Sequence, residues 1–157
     1  MMRRVVALFS VAMSVQSAQA ASFNFCWVGA AGYTMTGTIV IPDSKMNQPM
    51  ITQDDVTAFK ITGYLDGARI GTWNMDARTA DTTWHLRFDP TTLRFPVGGG
   101  FPSDQAQGWN AHGAVNDCGT PGFGFNAASG AQDVCVNGTF IRDSSIERDT
   151  PFLATTE

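Results

Sequence analysis

Lysine and glutamate are nearly missing. The 157 residues contain two of each, against 12 aspartates and 16 glycines. Without Glu and Lys there is little from which to build the exposed side of a helix, whereas Asp, Gly and Thr suit turns and strands. That excludes a helical bundle and a coiled coil. Basic residues are in deficit as well, 10 Lys+Arg against 14 Asp+Glu, which excludes the basic footprint of a nucleic-acid binder. Beyond the N-terminus no apolar run approaches the ~18 residues needed to cross a bilayer, so no membrane anchor is expected. Motifs for metals and cofactors are missing too. There is no C-x-x-C, and His85 and His112 have no ligand spacing. The glycine run Val97-Gly98-Gly99-Gly100 is followed by no lysine, and neither a dinucleotide fingerprint nor a G-x-S-x-G elbow occurs.

What is present begins with an export signal. Met1-Met2-Arg3-Arg4 is a basic start, Val5 to Val15 a short apolar stretch, and Ala18-Gln19-Ala20 a small-x-small cleavage site. Residues 1–20 are therefore expected to be a signal peptide and 21–157 a single β-domain, secreted or periplasmic. Losing Arg3 and Arg4 leaves 8 basic against 14 acidic side chains, a net charge of −6. In an oxidising compartment the three cysteines read first as bridge formers. Cys118 lies in the turn-like Asn116-Asp117-Cys118-Gly119 and Cys135 in a strand-like run. Sixteen residues separate the two, and closing such a loop stabilises by roughly 3 kcal/mol. Cys118–Cys135 is the expected disulfide, with Cys26–Cys135 the next choice. Cys26 is then a free, mostly buried thiol on the strand Phe23-Asn24-Phe25-Cys26-Trp27, opposite the face of Phe23, Phe25 and Trp27.

Period-two patterning recurs along the chain. Tyr33, Met35, Gly37, Ile39 and Ile41 alternate with Thr34, Thr36, Thr38 and Val40, predicting a strand that ends at Pro42. Residues 43–51 read as a loop, and Thr52-Gln53-Asp54-Asp55 as a capping box opening one helical turn. From Val56 to Asn74 two strand-like runs flank Asp66-Gly67, which supplies the positive φ of a type I′ hairpin turn. A two-residue loop pairs Leu65 with Ala68, Gly63 with Ile70, Ile61 with Thr72 and Phe59 with Asn74. Phe59, Ile61, Leu65, Ala68 and Ile70 then share one face, and Lys60, Thr62, Tyr64, Arg69 and Trp73 the other. Thr82 to Phe88 alternates with Trp84, Leu86 and Phe88 inward and Thr83, His85 and Arg87 outward. A turn at Asp89-Pro90-Thr91-Thr92 leads into Leu93-Arg94-Phe95. Residues 97–122 predict one long Gly-rich loop. Phe123–Phe125 and Val134–Ile141 predict further strands, the latter with Val134, Val136 and Phe140 on one face, and an edge strand follows Pro151. About eight short strands imply an all-β fold, an antiparallel β-sandwich or jelly-roll-like architecture.

The run Ile51-Thr52-Gln53-Asp54-Asp55-Val56-Thr57-Ala58-Phe59, the hairpin after it, and Phe88-Asp89-Pro90-Thr91-Thr92 resemble small exported bacterial β-proteins of the exosortase-sorted (PEP-CTERM) kind. The resemblance covers residues 33–95 and consists of turn grammar. The chain departs from that group in having no Pro-Glu-Pro motif, membrane helix or basic tail, so surface sorting is not implied. The resemblance carries no catalytic residue.

Aromatic rings gather around the Gly-rich segment: Phe101, Trp109, Phe123 and Phe125 among amides and carboxylates. An exposed Trp beside hydrogen-bonding side chains is a sugar-stacking arrangement. Trp109 is expected at the surface, with Asn110, Gln105 and Asp104 fixing ligand orientation and Phe101 beside them. The competing reading makes Trp109 an inward plug. The expected function is a non-catalytic binding module for a glycan, surface polymer or protein. One alternative is a hydrolase with His112 as general base, oriented by Asp104 or Asp117. Another is a purely structural envelope component. No cofactor is expected, although Asp76 with Asp81, or Asp104 with Asp117, together with loop carbonyls would suit calcium. Asn137-Gly138-Thr139 is a formal glycosylation sequon, expected to lie silent within a strand.

Overall fold

The computed structural model describes residues 19–112, 118 and 122–156. The expected signal peptide therefore lies almost wholly outside the described residues. The strands are β1 (Ala20–Val28), β2 (Tyr33–Pro42), β3 (Ile51–Thr52), β4 (Ala58–Leu65), β5 (Ala68–Asn74), β6 (Trp84–His85), β7 (Arg87–Phe88), β8 (Arg94–Phe95), β9 (Gln107–Trp109), β10 (Phe123–Ala127), β11 (Gln132–Val136), β12 (Thr139–Ile146) and β13 (Phe152–Thr156). Two 3-10 turns occur, at Asp43–Lys45 and Met75–Ala77, and no α-helix among the described residues. A six-stranded sheet, ordered β5-β4-β2-β1-β13-β8, packs on a five-stranded sheet, ordered β12-β11-β10-β9-β6. A small β3-β7 pair is the third sheet, and every strand pairing among the described residues is antiparallel. This is an antiparallel β-sandwich with more strands than the expected eight.

The long strands follow the sequence alternation. On β1, Phe23, Phe25 and Trp27 are buried, and on β2 so are Met35, Ile39 and Ile41. Gly37, which faces the interior between Met35 and Ile39, leaves room for the Phe25 ring; a Cβ there would overlap that ring. An aromatic thus covers the bare backbone of its cross-strand glycine, Phe25 pairing with Gly37.

The β4–β5 hairpin turns where expected, with Asp66 at φ 50° and Gly67 at φ 82°, and Leu65 pairs with Ala68. Beyond that the register differs. A bulge makes Ile70 the extra residue, so Gly63 pairs with Gly71, Ile61 with Trp73 and Lys60 with Asn74. The one-residue shift turns Trp73 into the core, where it is 6 % exposed. Packing drives the slip, because a large indole gains far more by burial than a bulge costs. Two paired glycines make room for Phe123, whose ring a Cβ at Gly63 would overlap.

Other segments depart from the sequence reading. Ile51–Thr52 is a strand, and Thr52–Asp55 is a hydrogen-bonded turn, not a helix: Thr52 N and Oγ1 donate to Asp55 Oδ2 at 3.0 and 2.9 Å. The run 82–88 splits at Leu86, with β6 joining the five-stranded sheet and β7 pairing with β3. Residues 134–141 are not one strand. Asn137-Gly138, at φ 48° and 76°, turns the chain from β11 into β12, and Phe140 consequently pairs opposite Cys135. The C-terminal strand β13 is no edge; it lies between β1 and β8. The Gly-rich segment supplies β9, an interior strand of the five-stranded sheet.

Replacing Asp66 and Gly67 together by alanine is expected to lower stability by roughly 1–2 kcal/mol, because both backbones occupy the left-handed region. Urea denaturation of the double variant measures this; unchanged stability would show that the turn does not constrain the hairpin.

Candidate functional site

The expected binding residues around the Gly-rich segment are largely structural. Trp109 is 0 % exposed, which corrects its expected surface position. Its ring contacts Phe59 at 4.8 Å, Phe125 at 5.0 Å, Phe95 at 5.3 Å, Phe25 at 5.6 Å and Phe152 at 5.8 Å between centroids. The inward plug is the correct reading. Asn110 is buried too, at φ 51°, and its Nδ2 donates to the Phe123 carbonyl at 3.1 Å. Asp104 accepts from Arg87 Nε at 2.8 Å. Gln105 is exposed, and its backbone carbonyl accepts from Gly99 N at 2.7 Å.

Phe101, Ala111 and Cys118, on either side of β9, lie against the outer face of the five-stranded sheet. Glycines permit that approach. A Cβ at Gly108 would sit 2.8 Å from the Phe101 ring, and one at Gly124 would sit 2.7 Å from Ala111 Cβ. The disulfide is Cys118–Cys135, as expected, with Cα atoms 6.5 Å apart. Cys135 faces outward on β11, so the bridge fastens Cys118 onto this face beside Ala111. His85 was expected to face solvent but is 8 % exposed. It packs against Phe101 at 5.1 Å and its Nε2 donates to the Ser103 carbonyl at 2.8 Å. Burial is the main cause holding its pKa below the ordinary 6.5.

The hydrolytic arrangement is not assembled among the described residues. His112 is exposed and packs against Phe101 with ring centroids 4.2 Å apart and tilted 43°, while Asp104 is engaged by Arg87. Asp117 lies outside the described residues. Asp76 and Asp81 are exposed turn residues, and among the described residues no three His, Cys, Asp or Glu side chains converge as metal ligands. No helix among the described residues is long and apolar enough to cross a membrane.

A concave region lies elsewhere, on the outer face of the six-stranded sheet. A depression of about 650 Å³ is lined by Asn24, Cys26, Thr36, Thr38, Lys60, Thr62, Leu153 and Thr155, with Phe25 and Gly37. Its volume falls in the ~300–1,000 Å³ range of ligand clefts. Strand register explains the set. One row across the sheet reads Leu153, Cys26, Thr36, Thr62 and Thr72; the next reads Thr155, Asn24, Thr38, Lys60 and Asn74. Cys26 belongs to the first row and is exposed, correcting the expectation of a buried thiol: the face opposite Phe25 and Trp27 looks onto solvent. The lining residues missed by sequence reasoning thus come from four different strands, β1, β2, β4 and β13. The Thr34-x-Thr36-x-Thr38 alternation was the available signal.

Comparison with known proteins returned no matching family model, no matching curated protein and no matching solved structure.

Two measurements follow. Trp109→Ala is expected to cost about 3–5 kcal/mol, as a buried aromatic truncation does; a loss under ~1 kcal/mol would contradict its place at the centre of the core. The second concerns Asp133, buried beside Asn126 Nδ2 at 3.4 Å. Burial pushes its carboxyl up from 3.8 to about 6. The folded form therefore holds this proton more tightly than the unfolded chain. The resulting stability is fully present below about pH 4 and is lost as pH rises through about 6. Asp133→Asn should accordingly raise the melting temperature at pH 7.5 and change it little at pH 4, which paired thermal melts test. An equal effect at both pH values would remove the carboxyl from the explanation.

Proposed function

We propose that this is an exported, non-catalytic binding module for a glycan or surface polymer, and that ligand is held by the outer face of the six-stranded sheet. The observation that carries the reading is the depression of about 650 Å³ with four threonine hydroxyls, one amide and one ammonium around it. Hydroxyls and amides both donate and accept, which matches the alternating donors and acceptors of a polyhydroxylated chain. The face is also built on long paired strands. Side chains on such a frame lose less freedom on binding than side chains on a loop. A protein interface of ordinary kind would want an aromatic or aliphatic centre, and this face offers only Leu153 and Val28 as exposed large apolar side chains.

The test is a glycan-array screen of residues 21–157, repeated with Thr36→Val. The substitution keeps the β-branched shape of an exposed residue and removes one hydroxyl. Stability should be unchanged while affinity falls several-fold, the scale of one hydrogen bond. If captured glycans bind the variant equally well, or if none is captured, this face is not the binding surface.

A further inference from the structure

Charge is distributed unevenly over the two sheets. The strands of the six-stranded sheet contain Lys60, Arg69 and Arg94 and not one Asp or Glu, in a chain with 14 carboxylate side chains. The strands of the five-stranded sheet, by contrast, mix the two signs, with Asp133 and Asp143 beside a single Arg142. All three cations are exposed. Register puts them on the outer face: Lys60 stands level with Thr38, Arg69 opposite Tyr64, and Arg94 opposite the exposed Leu153. The ion pairs among the described residues are Lys45–Asp55 and Arg87–Asp104, so none of the three is neutralised by a carboxylate there. Of the carboxylates next to these strands in sequence, Asp43, Asp66 and Asp76 belong to turns at strand ends, and Glu157, after β13, lies outside the described residues.

From this segregation we infer that the outer face of the six-stranded sheet binds an anionic polysaccharide, one bearing carboxylate, sulfate or phosphate groups along its length. The inference rests on the binding face proposed above and adds the ligand's charge. Positive potential on one face of an acidic protein concentrates and orients anions there, while the rest of the surface repels them. Spacing selects a polymer over a small anion. Lys60 and Arg94 lie four strand intervals apart, about 19 Å, beyond the ~8 Å screening length of physiological salt. Each cation therefore meets a different group on an extended ligand. Between them run the two threonine-rich rows, which supply hydrogen bonds to neutral ring hydroxyls. Nucleic acid is the less favoured polyanion, since three cations and Tyr64 give little phosphate neutralisation and few stacking surfaces.

The test uses residues 21–157 in solution with polygalacturonate and alginate, each beside its methyl ester, and dextran sulfate beside dextran. Titration calorimetry should show binding to at least one charged chain and none to its neutral counterpart. Affinity should fall as NaCl rises from about 0.1 to 1 M, where the screening length shrinks from ~10 to ~3 Å. Lys60→Gln should weaken binding about tenfold, the scale of a charge-assisted hydrogen bond, with an unaltered melting temperature. Equal, salt-independent binding of a neutral chain that is lost in Thr36→Val would overturn the charge inference and leave the binding face standing. Binding of a charged chain that survives a Lys60→Gln, Arg69→Gln, Arg94→Gln triple variant would place the ligand elsewhere and overturn both. Poly-glutamate or single-stranded DNA binding as tightly as every polysaccharide would overturn the ligand class. No binding to any chain would also overturn the inference.

Discussion

Everything in this sandwich is organised around Trp109. Its indole touches rings from β1, β4 and β8, from its neighbour β10 and from β13, and so joins both main sheets. Burying 150–250 Å² of aromatic surface stabilises by about 4–6 kcal/mol. That outweighs the ~1–3 kcal/mol cost of leaving the indole N–H without an acceptor, as Nε1 is here. The constraint runs outward from the ring. With Trp109 inward, Gly108 must face outward, and the flanking loops must fold back over the sheet they leave.

Buried amides hold those loops in place. Gln107, fully buried, accepts from Arg87 N at 3.0 Å and donates to the Arg87 and Pro96 carbonyls at 2.9 and 2.7 Å. Gln132 plays the same part at the other end. Its Oε1 accepts from Trp27 Nε1 at 3.0 Å, and its Nε2 donates to the Arg148 and Thr150 carbonyls. An amide with donors and acceptors both used can cross a core without an unpaired polar atom. Each of these glutamines fixes a loop entrance while the aromatic cluster supplies the cohesion.

What was legible in the chain, and what was not, follows the range of the interactions. Alternation on β1 and β2 and the Asp66-Gly67 turn are local, and the sequence displays them directly. Asn137-Gly138 carries the same turn chemistry and the same positive φ angles, yet a sequon reading and the apolar run around it hid the hairpin. The bulge at Ile70 is set by where Trp73 and Phe123 pack, which no local pattern records. Trp109 failed for a related reason. Glycines on either side suggested an open loop, whereas Gly108 and Gly124 are the price of laying Phe101 and Ala111 against strands. The site was harder still, because the lining of the depression comes from separate strands and only register brings Cys26, Thr36 and Thr62 into one row.

The two outer faces therefore solve different problems. On the outer face of the five-stranded sheet, Phe101 packs against His85, the Cys118–Cys135 bridge sits beside Ala111, and His85, Asn110 and Asp133 are buried. On the six-stranded sheet nothing described crosses the threonine rows. Threonine is the natural occupant of an exposed strand position, since its branched side chain favours the pleated backbone and its hydroxyl is content in water. The same choice leaves a surface whose hydrogen-bonding groups are already ordered by paired backbone. A ligand settling there would not have to freeze a loop first, and the chain's stabilising disulfide is spent on the opposite side, where it cannot restrict access.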